Sequence, residues 1–392
     1  MSGERGVSGA VADSADRRSP IVRFRDVRKS YDGLVAALAG FSLDVARGEF
    51  ITLLGPSGSG KTTVLMTLAG FERPDAGEIL LEGRPVGRVP AHRRGLGVVF
   101  QSYALFPHMT VAENVAFPLA VRRVGRAERE ARVARVLDAV RLGGLAARLP
   151  SQLSGGQQQR AALARALVFE PPLVLLDEPL AALDRALREE MQLELRRLHR
   201  QLGVTMLYVT HDQAEAMTMS DRIALMEAGT VLQVGTPQAL YEEPQSVFAA
   251  RFIGENNALA GVVAEIDEDA IASVRLGGGQ TAEARLAEAA GAEAAGVGER
   301  VWVMIRPERI AVSTASAEAL GEGVLAAKLL ETIHVGDHLR LRVALAPGEG
   351  AGGAELTVKR PAAAGTAGLR EGATVAIAWQ PDHARVFRAV RG

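Results

Sequence analysis

The chain contains no cysteine, so neither disulfides nor thiolate metal sites can belong to its architecture. Aromatic side chains make up only 4% of its residues. No uninterrupted apolar stretch approaches the roughly 20 residues of a membrane-spanning helix, so any membrane association must be borrowed from partners. An excess of one charge is missing too, since 45 Lys and Arg oppose 46 Asp and Glu; this leaves no electrostatic footprint for nucleic acid. Lysine itself is rare, and Lys61 is the only one between Lys29 and Lys328. Arginine fills nearly every other basic position, which makes a compact ammonium at 61 a chemical choice rather than a generic surface cation. The first 20 residues or so are polar and small, without an apolar core, and read as a disordered tail rather than a signal peptide.

What surrounds that lysine is a glycine-rich string, Gly55-Pro56-Ser57-Gly58-Ser59-Gly60-Lys61-Thr62. It fits G-x-x-x-x-G-K-[ST] without a gap and follows the apolar run Phe50–Leu54, which predicts strand, loop and then helix from Thr62 to Ala69. Glycines at 55, 58 and 60 allow positive φ and close approach of the backbone to an anion. The helix N-terminus adds the positive end of its dipole. The string is therefore a phosphate cradle, with Lys61 for the β/γ oxygens and the Thr62 hydroxyl as a Mg²⁺ ligand.

Four apolar runs each stop at a polar group: 51–54 before the cradle, 97–100 before Gln101, 173–176 before Asp177-Glu178, and 206–210 before His211. Continuous apolar runs are what parallel strands buried on both faces look like, and in open α/β sheets ligands sit beyond the carboxyl ends of such strands. Asp177, closing a buried strand, suits Mg²⁺. Glu178 is the candidate to orient or deprotonate an attacking water. His211 can sense a γ-phosphate, and Gln101 can contact metal and water.

A second string, Leu153-Ser154-Gly155-Gly156-Gln157, opens a helical pattern that runs to Phe169; Ser154 suits an N-cap. From Gln101 to about Gln152 the pattern turns helical, with Val133, Val136, Leu137 and Val140 on one helix face and charges of both signs elsewhere. Aromatic and Met residues concentrate between Ser102 and Phe117, either as an exposed groove or as core. Past Gly254 short alternating runs appear at 301–305, 339–343, 356–358 and 375–379, separated by Gly-, Ala- and Pro-rich turns, which indicates a small barrel.

Residues 22–254 resemble the nucleotide-binding subunits of ABC transporters: the cradle, a Q-loop at Gln101, the second string as signature, the strand ending in Asp177-Glu178, the D-loop Leu180–Asp184, and a switch histidine at His211. The resemblance implies an α/β P-loop NTPase domain over 21–254, its helical subdomain at about 101–160, followed by an all-β OB-like TOBE barrel over 255–392. It implies that Tyr31 stacks on adenine and that residues 55–63, Thr63 included, hold the phosphates of ATP. Mg²⁺ would be held by Thr62, Gln101 and Asp177, with Lys61, Gln101, Glu178 and His211 catalytic. It further implies that Ser154, Gly155, Gly156 and Gln157 complete the nucleotide site of a second copy in a homodimer, and that the 102–117 groove receives a helix of a membrane permease.

The wording at Val99–Val111 and Phe252–Asn256 is similar to the spermidine/putrescine import branch, whose relatives take up iron(III), opines, phosphonates, sugars or anions. The expected assembly has two ATPases, two permeases and an external solute-binding protein. Its place is the cytoplasmic face of a bacterial inner membrane, with only indirect membrane contact. Competing readings are a soluble ABC ATPase of DNA repair or translation, a P-loop kinase, and an exporter motor. The first lacks its usual coiled-coil insertion or zinc cysteines, the second gives no reason for the 153–157 string, and the barrel speaks against the third.

Overall fold

The structure, a computed structural model, describes residues 20–287, 295–314, 323–346, 354–364 and 368–389. The N-terminal tail expected from the sequence lies, apart from Pro20, outside the described residues. Contacts divide the chain into two compact units between Pro237 and Gln238.

In the first unit, β1 (Val22–Ser30), β2 (Ala36–Val45), β4 (Ala76–Leu81) and β5 (Arg84–Pro85) form an antiparallel sheet in the order β2-β1-β4-β5. A second sheet holds β3 (Phe50–Leu54), β6 (Gly97–Val99), β7 (Leu173–Asp177), β8 (Thr205–Thr210), β9 (Arg222–Glu227) and β10 (Thr230–Gly235), in the order β10-β9-β3-β8-β7-β6. Strands β9, β3, β8, β7 and β6 run parallel, and β10 is antiparallel to β9. The helices are α1 (Lys61–Ala69), α2 (Val111–Val121), α3 (Arg126–Ala139), α4 (Gly155–Leu167), α5 (Arg185–Leu202) and α6 (Gln213–Met219).

Every residue of β3, β7 and β8 is buried. Leu173, Leu175, Leu207 and Val209 join a core with Val64, Leu65 and Leu68 of α1 and with Phe24 and Phe41 of the first sheet. Val174, Leu176, Met206 and Tyr208 point into a second core, filled by Leu163 and Leu167 of α4 and Leu195 and Leu198 of α5. The two-residue alternation of a strand is present, but both faces are apolar, so the sequence shows an unbroken run. Each such side chain removed from water contributes about 2 kcal/mol.

Register then aligns the strand ends. Leu54 pairs with Thr210, Asp177 with Val209, and Val99 with Leu176. Gly55, Glu178 and His211 thus leave the sheet along one carboxyl edge.

Two polar residues fix the surroundings. Arg94 is 6% exposed, and its guanidinium donates to the carbonyls of Thr67 (2.6 Å), Leu68 (2.7 Å) and Val89 (2.8 Å). It closes the C-terminal end of α1, where a cation complements the helix dipole. Asn114, fully buried on α2, accepts from the Phe106 N–H and donates to the carbonyls of Phe106, Met109 and Thr110, which sets the path of the loop before the helix. The α3 pairs Arg126–Glu130 and Arg132–Glu128 make the expected solvated face, while Val133 and Leu137 are buried.

The boundary falls at the first residue of α7 (Pro237–Glu242), and the second unit continues with α8 (Val247–Phe252). Its closed barrel joins β11 (Asn257–Ile266), β12 (Ile271–Leu276), β13 (Thr281–Leu286), β20 (Ala384–Arg388) and β14 (Arg300–Ile305). A further sheet has the order β15-β19-β16-β17-β18, formed by Ala311–Ser313, Thr374–Ala378, Leu325–His334, His338–Leu345 and Glu355–Pro361. A barrel is present as expected, but of the four runs that suggested it only 301–305 belongs to it. The other three build the neighbouring sheet. Alternation reports one buried face without reporting which sheet buries it, and here both share one core, including Val303, Leu341, Val358 and Ile377. Asn257 ties the two, donating to the carbonyls of Ile305 (3.2 Å) and Thr357 (2.9 Å) and accepting from the Thr357 N–H (2.7 Å).

Candidate nucleotide site

The cradle loop leaves β3 and enters α1 through Gly60, whose φ of 94° is left-handed and which provides no side-chain cap. A Cβ on Gly60 would stand 2.3 Å from the Ala37 carbonyl oxygen. Positive φ is expected at Gly55 as at 58 and 60, and the structure corrects this: its φ is not among the positive ones. A Cβ on Gly55 would lie 2.3 Å from the Met226 carbonyl oxygen, so glycine is required there by the adjoining strand β9. Gly58, at φ 81°, faces open space and keeps the expected role. Ser59 is buried and its carbonyl accepts from the Gly229 N–H, while Pro56 is half-buried and Ser57 exposed.

Lys61 is 6% exposed. Its ammonium donates to the carbonyls of Gly55 (2.9 Å) and Pro56 (2.8 Å) and reaches the Ser59 hydroxyl at 3.3 Å. Burial lowers its pKa, and the nearby carboxylates of Glu178 and Asp177 oppose that shift. The Thr62 hydroxyl donates to Asp177 Oδ1 at 3.3 Å across the gap between α1 and β7. Burial raises the pKa of Asp177, against the Thr62 hydrogen bond and the charge of Lys61. A buried carboxylate beside a hydroxyl, both hard oxygens, is a donor set that fits Mg²⁺.

Glu178 has φ 42°, a left-handed conformation that costs a non-glycine residue about 1 kcal/mol. Its N–H donates to the Val209 carbonyl at 3.1 Å, which holds the turn, and its Oε1 lies 3.0 Å from His211 Nδ1. Strain of this kind clusters at functional sites. Tyr31 is 62% exposed; its hydroxyl lies 3.4 Å from the Thr63 hydroxyl, and the Lys29 ammonium stands 5.4 Å from its ring centre. An exposed aromatic pinned at the cradle's edge offers a face for a base to stack on. Gln101 follows β6 and is exposed. Among the described residues no hydrogen bond joins it to Thr62, Asp177 or Glu178.

The second string behaves as its spacing predicts. Ser154 accepts from the Gln157 N–H (3.4 Å) while Gln157 Oε1 accepts from the Ser154 N–H (3.0 Å), a reciprocal cap on α4. A Cβ on Gly155 would stand 3.2 Å from Leu183, and one on Gly156 3.2 Å from Leu187. The glycine corner is therefore seated on the Leu180–Asp184 turn and the first turn of α5. Among the described residues no hydrogen bond or ion pair links it to residues 55–63 of the same chain.

The aromatic segment divides between its two readings. Tyr103 is 6% exposed and belongs to the core, whereas the Phe106 ring lies 4.7 Å from that of Phe117, which stays 38% exposed.

Sequence reasoning missed Arg94, Arg188 and Glu215. Glu215 is buried on α6, where its Oε2 accepts from the hydroxyls of Tyr208 and Thr210, both at 2.7 Å. The signal for Glu215 was its spacing of one turn beyond His211; nothing in the spacing marked the arginines.

Comparison with known proteins agrees with this geometry. Residues 38–181 match the ABC transporter family and residues 303–387 the TOBE domain. The chain is 45% identical over 375 residues to a spermidine/putrescine import ATP-binding protein of Rubrobacter xylanophilus, covering 96% of each. To the protein of that name from Thermobifida fusca it is 42% identical, covering 97% of this chain and 96% of the other. Among solved structures, a part of an ABC transporter complex from Clostridium perfringens aligns with a TM-score of 0.53 at 30% identity, over 57% of this chain and 91% of that one. A dimeric bacterial ABC transporter cassette aligns with a TM-score of 0.50 at 35% identity, over 55% of this chain and 98% of that one.

Proposed function

On the premise that this chain belongs to the ABC transporter family, among its spermidine/putrescine import ATP-binding proteins, we propose that it binds and hydrolyses ATP to drive polyamine import. The observation that carries the mechanism is the convergence of Lys61, the Thr62–Asp177 pair and the Glu178–His211 pair on one strand edge.

Lys61 and the free N–H groups of the loop and of α1 receive the phosphates; the ammonium exchanges its loop carbonyls for phosphate oxygens. Thr62 and Asp177 would hold Mg²⁺, which would offset phosphate charge. Glu178 orients the attacking water, and His211, already at hydrogen-bonding distance, keeps that carboxylate in place and contacts the γ-phosphate. Tyr31 stacks on the adenine. Gln101, outside these contacts, reports occupancy toward the 102–117 segment, where the Phe106–Phe117 pair receives an apolar helix of a permease.

Hydrolysis requires two copies of this chain, because the Ser154–Gln157 corner completes a neighbour's site. Two permeases and an external solute-binding protein complete the importer, which places this subunit on the cytoplasmic face of the inner membrane. Uptake of labelled spermidine by cells carrying Lys61→Ala tests the whole assignment: uptake at the unmodified rate would overturn it.

A further inference from the structure

Three parts of the site meet at one guanidinium. Arg188, in the first turn of α5, donates through Nη2 to the Leu183 carbonyl at 2.8 Å. Its Nη1 lies 3.6 Å from Asp212 Oδ2 and its Nε 3.9 Å from Glu215 Oε1. Leu183 is the side chain on which Gly155 sits. Asp212 and Thr210 flank His211: Asp212 caps α6, and its N–H donates to the Thr210 hydroxyl at 2.9 Å. That hydroxyl donates in turn to Glu215 Oε2. One side chain therefore spans from the corner facing a neighbour's nucleotide to the turn carrying this chain's own histidine.

The span is not fully closed. Arg188 Nε is buried without a hydrogen-bond partner, although a carboxylate oxygen stands 3.9 Å away. A buried donor left unbonded costs about 1–3 kcal/mol, and less than an ångström of approach would bring it to bonding distance of Glu215. An attractive pair held just beyond contact is a structural element with two available settings, which physical coupling between sites requires.

We infer that Arg188 is a positioning residue that couples seating of the 154–157 corner on a neighbour's nucleotide to the placement of His211 and Glu178 in its own chain. The inference rests on the reading of the site given above. When the corner is pressed by the neighbour's phosphates, Leu183 moves, Arg188 follows its carbonyl, and the gap to Glu215 closes. The Thr210–His211–Asp212 turn is then fixed.

The test is steady-state hydrolysis by the full-length chain carrying Arg188→Met, Glu215→Gln or both, with ATP binding and thermal midpoint measured alongside. Each single change is expected to lower kcat about tenfold, within the span found for coupling positions, with KM for ATP and equilibrium ATP binding unchanged. The double variant should be no slower than either single one, because both remove the same link. An unchanged kcat overturns the inference, and so does a joint fall of kcat, ATP affinity and thermal midpoint, or rate losses that multiply in the double variant. Should Arg188→Met fail to fold, Arg188→Lys keeps the charge but cannot reach a carbonyl and two carboxylates at once, and the same split in kcat and KM is expected. Glu178→Gln separates the two levels: full turnover in that variant removes the reading of the site, whereas its loss together with a normal Arg188→Met removes only the coupling.

Discussion

Glu178 Oε1 and His211 Nδ1 stand 3.0 Å apart, joining the ends of two adjacent parallel strands across the edge where the cradle also opens. The carboxylate is held by its partner and by a left-handed turn. Glu178→Gln should therefore retain ATP binding while losing about 10²- to 10⁴-fold in turnover, the usual contribution of a positioned base. Phosphate release and gel filtration with ATP check this; undiminished release removes Glu178 from its role.

Ser154→Arg places a long cation on the glycine corner, away from the cradle of the same chain. ATP binding by the single chain is expected to persist. Pairing should weaken by about 3 kcal/mol, on the order of a hundredfold, if the corner is buried against a neighbour. Sedimentation of the variant in a Glu178→Gln background reads the effect, and dimers of normal affinity would count against a shared site.

Gly55 and Gly58 give a paired prediction. Alanine at 55 meets the Met226 carbonyl at 2.3 Å, and overpacking of that sort costs about 2 kcal/mol, or about 4–8 °C in Tm for a unit of this size. Alanine at 58 has open space and loses about 1 kcal/mol through its positive φ alone. Calorimetry that ranks the two the other way round would contradict the steric assignment.

His199 supplies a pH dependence. Burial lowers its pKa beneath the ordinary 6.5, helped by Arg196 and Arg200 and opposed by Asp221 and the Gly48 carbonyl, which its Nε2 approaches at 3.1 Å. The unfolded chain thus binds the proton more readily than the folded one. The stability contributed by the neutral ring is complete above about pH 6.5 and is lost as pH falls through the folded value. Burial raises the carboxyl pKa values of Glu49, Asp177 and Glu215, which act in the opposite sense and add stability as pH falls through their folded values. Tm should therefore decline between pH 7 and 5.5, and His199→Gln should flatten that decline. An equal slope in the variant would assign it elsewhere.

Much of the catalytic edge could be read from the sequence because the apolar runs of β3, β7 and β8 end where their chemistry begins, and register aligns those ends. The cradle was legible because Lys61 stands almost alone among arginines. Gly55 was misread because a clash with Met226 is set by a strand some 170 residues later, and local spacing cannot report it. Arg94, Arg188 and Glu215 stayed hidden for a related reason: long polar side chains normally mark solvent, and only the fold shows which carbonyls and hydroxyls they satisfy. The β strands after Gly254 were found but assigned to one barrel, since alternation carries no information on which sheet pairs with which.

Arg94 has one more consequence. The helix beneath the cradle is fastened at its rear by a guanidinium gripping Thr67 and Leu68. When product departs and the front of that helix is bared, its rear cannot fray in response. Fraying there would strand a buried guanidinium without its acceptors, so the helix keeps its full length whatever its N-terminal turn holds.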